Sequence, residues 1–595
     1  MKFIGIIKSI THSNDLSYRL DALANNNSFM KWGCGKNIEV LFKPIIPHYK
    51  NHNSLLIGDI FHKESGRKTT HEILNNSTIS HKSLYQNYWG NYIFFSGQDD
   101  TFQISKDLSN TFKLFYMYSE YGIIFSSNVE FIYELIGSKP SFNIGYLSNY
   151  ILNGDHPSID TAFNNIYQLL PAYLLTTNNY NNFTHSRLFE ESYRHKLNNT
   201  SQQNKQIDLS NILIDVLKPK LADYENLILD FSGGVDSSSI LYCLNYIKRT
   251  DQRVRAINLF HPDVATSDEL SYVSQVIEQL PDAELIRLDI SDFLPFSKSN
   301  TFHQKPYQPS VFLINQHLES AILNIANGFE NSKMISGQGG DHIFLKPPIL
   351  EAAIDLLIEH KFRCYFDYIK AISKYFRTPI LPKMLNTLSK YFKYYYEQGK
   401  YENKCDITSK LAKSIQNNKW ITEGIIKQAQ QSIQDNMFLT GNSYAFKPGK
   451  YTHIHNIYEG LSCIAGENRN ISNPVFYPFY TLPVIESALS MSSYDLFNNG
   501  IDRYPLRKSI SDRFNSSVAW RRSKGSTYGV NLLGFKANKN LIYDLCFNGY
   551  FAQSQLIDKQ ALANKFSKIL HGERGLSQAY NLIAVELFIS YWQSS

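Results

Sequence analysis

The sequence predicts an α/β protein: a β-rich N-terminal part, then a parallel sheet with helices on both faces. Three observations predict it. Short apolar runs separated by turn signals fill residues 1 to about 195. From about 205, apolar strand-like runs alternate with helical ones. Two glycine-rich turns, "SGGVDSSS" and "SGQGGD", each close a strand-like run inside that alternation.

The elements follow in order. "NYIFFSGQ", "FKLFYMYSE" and "YGIIFSSN" read as short strands. "YLSNYILNGD" reads as a short helix, and "AFNNIYQLLPAYLLTT" leads into another strand. "HKLNNTSQQNKQ" is polar without periodicity and reads as a linker. Helix "IDLSNILIDVLKPKLADY" precedes strand "NLILD", which Phe231 can extend. Helix 236–249, strand "VRAINLF", helix "SDELSYVSQVIEQL", strand "ELIRLDI", a helix near 310–328 and strand "KMISG" complete the run. Residues 346–470 are mostly helical in pattern, aromatic and basic, with "KYFKYYYEQGKYENK" (390–404) the densest patch. That patch could contact a peptide or an anion, but more often such a stretch is a solvated helix with an aromatic core side. The expected division is 1–195 and 205–595, with 346–470 as a helical insertion.

A chain of 595 residues is too long for a single core, so two or three domains are expected. With 59 basic and 53 acidic residues, the net charge of +6 suits an anionic substrate and gives no argument for nucleic acid. Six scattered cysteines form no C-x-x-C, against a zinc knuckle or redox pair and in keeping with a reducing cytosol. The first residues carry an apolar patch too short for a signal peptide, and no run has the length of a membrane span. A cytoplasmic protein without nucleic-acid or membrane partners is expected.

The first turn follows Leu227-Ile228-Leu229 and opens a helix. Free N–H groups at a helix start, hydroxyls and glycines suit a phosphate. The common phosphate loop with its lysine is absent; Asp236 offers instead a ligand for Mg2+ against phosphate oxygens. The second turn, Met334 to Phe344, brings Asp341, which faces Asp236 if the two strands are neighbours. Two carboxylates at adjacent strand ends can share Mg2+ bound to a triphosphate. A third stretch, "IDRYPLRKSISDRFNSSVAWRRSKGSTYG", carries Arg503, Arg507, Arg521, Arg522 and Lys524 around one predicted helix. Cations belong where negative charge builds as phosphate departs. His453 and His455 have zinc-like spacing but no evident third ligand, and read as surface or core histidines. His71–Glu72 does not extend to H-E-x-x-H, so a metalloprotease is unsupported.

"LDFSGGVDSS", "SDE" at Ser267–Glu269, "SGQGGD" and "RRSKG" resemble the synthetase half of asparagine synthetase B-type enzymes. "WGNYIFFSGQ", "YSEYGIIFSSN" and "YQLLPAYLL" resemble that family's glutaminase half. "GQGGDHIF" and "DRYPLR" look specifically like lasso peptide cyclases, the macrolactam synthetases of microcin-type lasso peptides. The resemblance implies an Ntn-type glutaminase-like fold followed by a PP-loop ATP-pyrophosphatase fold of HUP-like type. It also implies that MgATP adenylates an Asp or Glu side chain of a precursor core peptide. The peptide's N-terminal amine then closes an isopeptide ring, and AMP and pyrophosphate leave. A leader-removing peptidase is the implied partner, since it frees that amine.

Carried over by position, the pyrophosphate loop is Ser232, Gly233, Gly234, Asp236, Ser237 and Ser238, with Mg2+ on Asp236 and Asp341. Adenosine is implied against Leu229, Leu259, Ser336 and Gly337. Lys524 matches the lysine that stabilises both transition states, and Arg507 is a further catalytic candidate. Gln338 stands where relatives carry Glu, Tyr or His and cannot take a proton. The base is then His342, or no strong base is needed. The glutaminase of the family uses a cysteine directly after the initiator Met. This chain has Lys2 there and Cys34 as its first cysteine, so no glutamine hydrolysis is expected. The alternatives are a standalone amide ligase using ammonia or a small amine, an inactive scaffold, and, more remotely, a PP-loop tRNA-modifying enzyme.

Overall fold

The computed structural model describes residues 2–8, 13–35, 37–44, 47–69, 79–98, 101–120, 122–178, 182–188, 207–297, 305–397, 419–435, 446–466, 474–573 and 575–593. The "HEILNN" stretch at His71–Glu72, the linker at 195–206 and residues 398–404 lie outside them.

The N-terminal part is two six-stranded antiparallel sheets. Its strands are β1 (Phe3–Lys8), β2 (Met30–Cys34), β3 (Ile38–Phe42), β4 (His48–Lys50), β5 (Ser54–His62) and β6 (Tyr88–Gln98). They continue as β7 (Thr101–Lys106), β8 (Phe115–Ser119), β9 (Gly122–Ser126), β10 (Tyr167–Gln168), β11 (Tyr173–Asn178) and β12 (Asn182–Arg187). One sheet runs β10-β8-β9-β1-β3-β2 and the other β12-β11-β7-β6-β5-β4. Phe3 of one sheet meets Phe95 of the other edge to face, ring centroids 5.7 Å apart, and Phe125 packs against Phe95 at the same separation. The aromatic richness of this part is the material between two sheets. Strands β1 to β5 and the helix Ser13–Asn27 carry mixed or short patterns that the sequence reading left unassigned.

The second part is built on β13 (Asn226–Asp230), β14 (Arg253–Phe260), β15 (Ala283–Asp289) and β16 (Ser332–Ser336), all parallel, in the order β15-β14-β13-β16. Leu227, Ile228, Leu229 and Ile335 are fully buried, as a strand covered on both faces requires. The helices Leu209–Leu221, Val235–Ile247, Leu270–Gln279 and Gln316–Asn327 supply those faces; Val311–Ile314 forms a separate short turn of helix before the last. Strand order reverses between β13 and β16, so their outgoing connections part to opposite sides and open a crevice. Asp230 pairs with Ser336 across that switch, so both strands end level and both glycine turns begin at the same height.

Between 346 and 470 the described helices of eight or more residues are Glu351–Ile358, Phe362–Phe376, Ile380–Tyr396, Glu423–Asp435 and Pro448–Ala465, and further helices, among them Leu482–Ser490, Tyr504–Phe514 and Leu576–Gln593, follow them. Among the described residues, no helix is long and apolar enough to cross a membrane.

Candidate functional site

The helix Val235–Ile247 starts at Gly234 with no side-chain cap, which leaves its first N–H groups facing the crevice. Ser232 Oγ lies 3.3 Å from Ser237 Oγ and accepts the Gly234 N–H at 3.3 Å, so the turn is closed by hydroxyls. Gly337 is pressed against this helix start: a Cβ there would lie 2.8 Å from the Ser237 backbone. A Cβ on Gly340 would overlap the carboxylate of Asp236. Both glycines are therefore required by the approach of one turn to the other, not by chain flexibility.

That approach brings the two acids together. Arg503 Nη1 donates to Asp236 Oδ2 at 2.6 Å and to Asp341 Oδ1 at 2.6 Å, while its Nε donates to Asp502 Oδ1 at 3.0 Å. Lys524 Nζ sits 3.2 Å from Asp341 Oδ2, and Lys346 Nζ 3.9 Å from Asp341 Oδ1. Burial, with the Asp341 charge added, pushes the Asp236 pKa up despite Arg503. Burial acts the same way on Asp341, but Arg503, Lys524 and Lys346 together hold it below the usual carboxylate range. Asp236 Oδ1 is buried and has no hydrogen-bond partner among the described groups. An unpaired buried carboxylate oxygen beside a second carboxylate is a donor set for a hard dication. Asp236 and Asp341 thus fit Mg2+.

A cavity of about 570 Å³ spreads from these acids. Of the residues singled out in the sequence, Ser232, Gly234, Asp236, Ser237, Leu259, Ser336, Gly337, Gln338, Asp341, His342, Arg507 and Lys524 line it. Gly233, Ser238 and Leu229 stand behind the wall, and Leu229 is wholly inside the sheet core. His342 faces the cavity from the short helix Gly340–Ile343, its ring backed by Gly460.

The five late cations do not sit on one helix. Arg503 is the N-cap of the helix Tyr504–Phe514, in a left-handed conformation, and Arg521, Arg522 and Lys524 belong to the loop beyond it. Arg521 is buried: it donates to Gly233 O at 2.7 Å, pairs with Glu269, and lies 3.6 Å over the Tyr272 ring. Glu269 also accepts the Gly525 N–H at 2.6 Å. This staple aims the loop, and with it Lys524, at Asp341. Arg507, expected to act in catalysis, is committed to the scaffold instead. Its donors reach Asp502 O at 2.7 Å, Ala519 O at 2.7 Å, Arg521 O at 2.8 Å and Asp502 Oδ1 at 2.9 Å. Two residues carry more than the sequence reading assigned them. Glu269 stood inside "SDE" without a role, and Arg503 was one cation among five, because the acids it bridges lie far away in sequence.

His453 is a core histidine whose Nε2 contacts Ile343 O at 2.7 Å, and burial lowers its pKa to about 3. His455 pairs with Glu459 at 3.5 Å.

The asparagine synthase family model matches residues 211–594, a span that includes both glycine turns, Arg503 and the Lys524 loop. The chain belongs to the asparagine synthase family. Members of that family are ATP-dependent, AMP-forming amide ligases, which accords with a crevice lined by carboxylates, hydroxyls and cations. No curated protein matches the chain. A solved structure of the allosteric regulatory enzyme of purine biosynthesis is 10% identical at a TM-score of 0.21. It covers 50% of this chain and 82% of its own, a likeness too slight to carry an argument. For this asparagine synthase-family chain the ATP chemistry therefore rests on the crevice itself and on the family match.

Proposed function

We propose that this chain is a lasso-peptide macrolactam synthetase. Residues 1–195 would be a degenerate Ntn-type glutaminase-like half, and 205–595 a PP-loop, HUP-like synthetase half with 346–470 as its helical insertion. The observation that carries the nucleotide-dependent part of the reading is the meeting of the Ser232–Ser238 and Ser336–Asp341 turns, where one Arg503 nitrogen touches both Asp236 and Asp341. Such a site suits a magnesium nucleotide, ATP being a substrate. Mg2+ on Asp236 and Asp341 would neutralise triphosphate charge.

The chain's own groups account for the rest. The uncapped helix start and the Ser232 and Ser237 hydroxyls hold the departing pyrophosphate. Leu259, Ser336 and Gly337 line the part of the cavity where adenosine would lie. A substrate carboxylate oxygen attacks the α-phosphorus and pyrophosphate leaves. The peptide amine then attacks the acyl carbon, AMP leaves with the bridging oxygen, and the amine loses one proton. Lys524, 63% exposed and poised beside Asp341, is free to follow the developing charge. The proton goes to His342 or to water. About a tenth of a peptide α-amine is already neutral at pH 7, so positioning matters more than base strength.

The amine source supports a peptide over glutamine. Up to Cys243 the sequence holds one thiol, Cys34. It is buried against Gly97, and burial pushes its pKa up, the reverse of an activated nucleophile. The finer assignment rests on the likeness of "GQGGDHIF" and "DRYPLR" to lasso cyclases. With it comes a leader-removing peptidase as pathway partner.

The test is mass spectrometry of purified protein with MgATP and peptides bearing a free N-terminus and an internal Asp or Glu. Loss of one water, with AMP formed in step, is expected. Amide formation from ammonia and free aspartate, with no peptide cyclised, would leave a standalone amide ligase in its place.

A further inference from the structure

We propose that the outer face of the helical hairpin Phe362–Phe376 and Ile380–Tyr396 docks on an anionic phospholipid surface. This goes beyond the ligase reading and does not depend on it. The inner face of the hairpin is ordinary core: Tyr365, Tyr368, Ile369 and Ile372 pack with Ala352, Leu356 and Phe497. The outer face is not. Of sixteen exposed large apolar or aromatic side chains among the described residues, nine lie between 362 and 396. Leu381, Leu385, Phe392 and Tyr396 are spaced by four, seven and four, a single stripe along the second helix, and Tyr396 is 89% exposed. An apolar concentration of this kind marks an interaction surface.

Charge indicates what meets it. Residues 362–396 hold seven Lys or Arg and one Asp, an excess of six. The whole chain, with 59 basic and 53 acidic side chains, has the same excess, so everything outside the hairpin balances to zero. Arg363, Lys370 and Lys374, spaced by seven and four, form an exposed cationic stripe on the first helix, and Arg377, also exposed, is its C-cap. Lys390 and Lys393 pair with Glu351 and Glu397.

A second copy would set two excesses of six against each other, so self-association through this face is disfavoured. An acidic protein would need somewhere to seat its side chains. Among the described residues, none of the nine apolar ones lines the cavity of about 570 Å³ or that of about 1550 Å³. A pair of helices with exposed leucines and aromatics beside lysines matches a bilayer interface, where apolar rings enter the acyl boundary and cations stay among lipid phosphates. The face is peripheral, in keeping with the absence of any spanning helix among the described residues. It departs from the expectation, drawn from the sequence, of no membrane partner.

The experiment is flotation of the full-length protein with vesicles of phosphatidylglycerol, of phosphatidylcholine, and of their equal mixture. Binding to the two anionic preparations and not to phosphatidylcholine is expected, weakening as salt is raised. The pair Leu385→Asp and Phe392→Asp should abolish it. The set Arg363→Gln, Lys370→Gln and Lys374→Gln should weaken it by about fivefold per cation removed. Both variants should keep wild-type ATP–pyrophosphate exchange, since none of these residues lines the ATP cavity. Equal binding to neutral vesicles, no binding at all, or variants that float like wild type would overturn the proposal. So would dimerisation through the hairpin in sedimentation, or preferential capture by polyglutamate over phosphatidylglycerol.

Discussion

Arg503 stands with one nitrogen 2.6 Å from Asp236 and 2.6 Å from Asp341, its side chain only 4% exposed. Without it, two acids would face each other in a crevice with no counter-charge of comparable burial. Arg503→Ala is therefore expected to destabilise the metal-free protein by about 3–5 kcal/mol in urea unfolding, with part of the loss recovered on adding Mg2+. Equal destabilisation with and without Mg2+ would argue against a metal on these two acids. Lys524 is the opposite case. It is exposed, so Lys524→Ala should leave the unfolding midpoint where it is and slow pyrophosphate exchange by about a hundred- to a thousandfold. Acidity follows from Asp236. Its pKa is raised, so it holds a proton at pH values where an ordinary aspartate has lost one. Metal binding needs the anion and should fail as pH falls through that raised value. The pH profile of ATP–pyrophosphate exchange should drop on its acid side above the ordinary carboxylate range.

The two glycine turns succeed as elements because they start level and touch. Gly340→Ala places a methyl group on the Asp236 carboxylate, so exchange should be lost while circular dichroism stays that of the wild type. A second element carries a stability signature. Asp355 of the helix Glu351–Ile358 accepts the Gly449 N–H at 2.8 Å and the Ser493 hydroxyl at 3.0 Å, next to Lys450 and Lys447. Burial raises its pKa to about 7. The folded chain then binds more protons than the unfolded one between the ordinary aspartate range and about 7, so this group's contribution to stability falls as pH rises through that window. Asp355→Asn should flatten that part of the stability–pH curve. The parallel strands and both turns were legible in the sequence because buried strands are apolar runs and the turns demand glycine. The first five strands were not: β2 and β4 are short and partly polar, Glu39 interrupts β3, and Gly5, Gly58 and Asp59 break the apolar runs of β1 and β5. Arg507 was misread for a related reason. Its type and position suit catalysis, and only the fold shows that Asp502, Ala519 and Arg521 take its donors.

At the scale of the molecule, the two parts are not loosely joined. One hydrophobic cluster runs from Phe3, Phe95 and Leu170 to Leu217, Ile228 and Phe479. Polar contacts follow the same seam: Lys220 Nζ to Asp59 at 2.9 Å, Asn110 to Leu461 O at 2.9 Å, and the Tyr458 hydroxyl to Pro171 O at 3.0 Å. The β-rich part therefore shares its core with the part that carries the crevice. Asp59→Asn, which strands the buried Lys220 charge, should lower the stability of both parts together, by about 3 kcal/mol. Calorimetry should show one transition moving, not one of two. The crevice between β13 and β16 remains the centre of the account, and isotope transfer tests it most directly. A peptide whose side-chain carboxylate carries heavy oxygen is incubated with the protein and MgATP, and the AMP is weighed. Activation through this site predicts one labelled oxygen in AMP for each ring closed. Label found in inorganic phosphate, or none in AMP while rings still form, would contradict it.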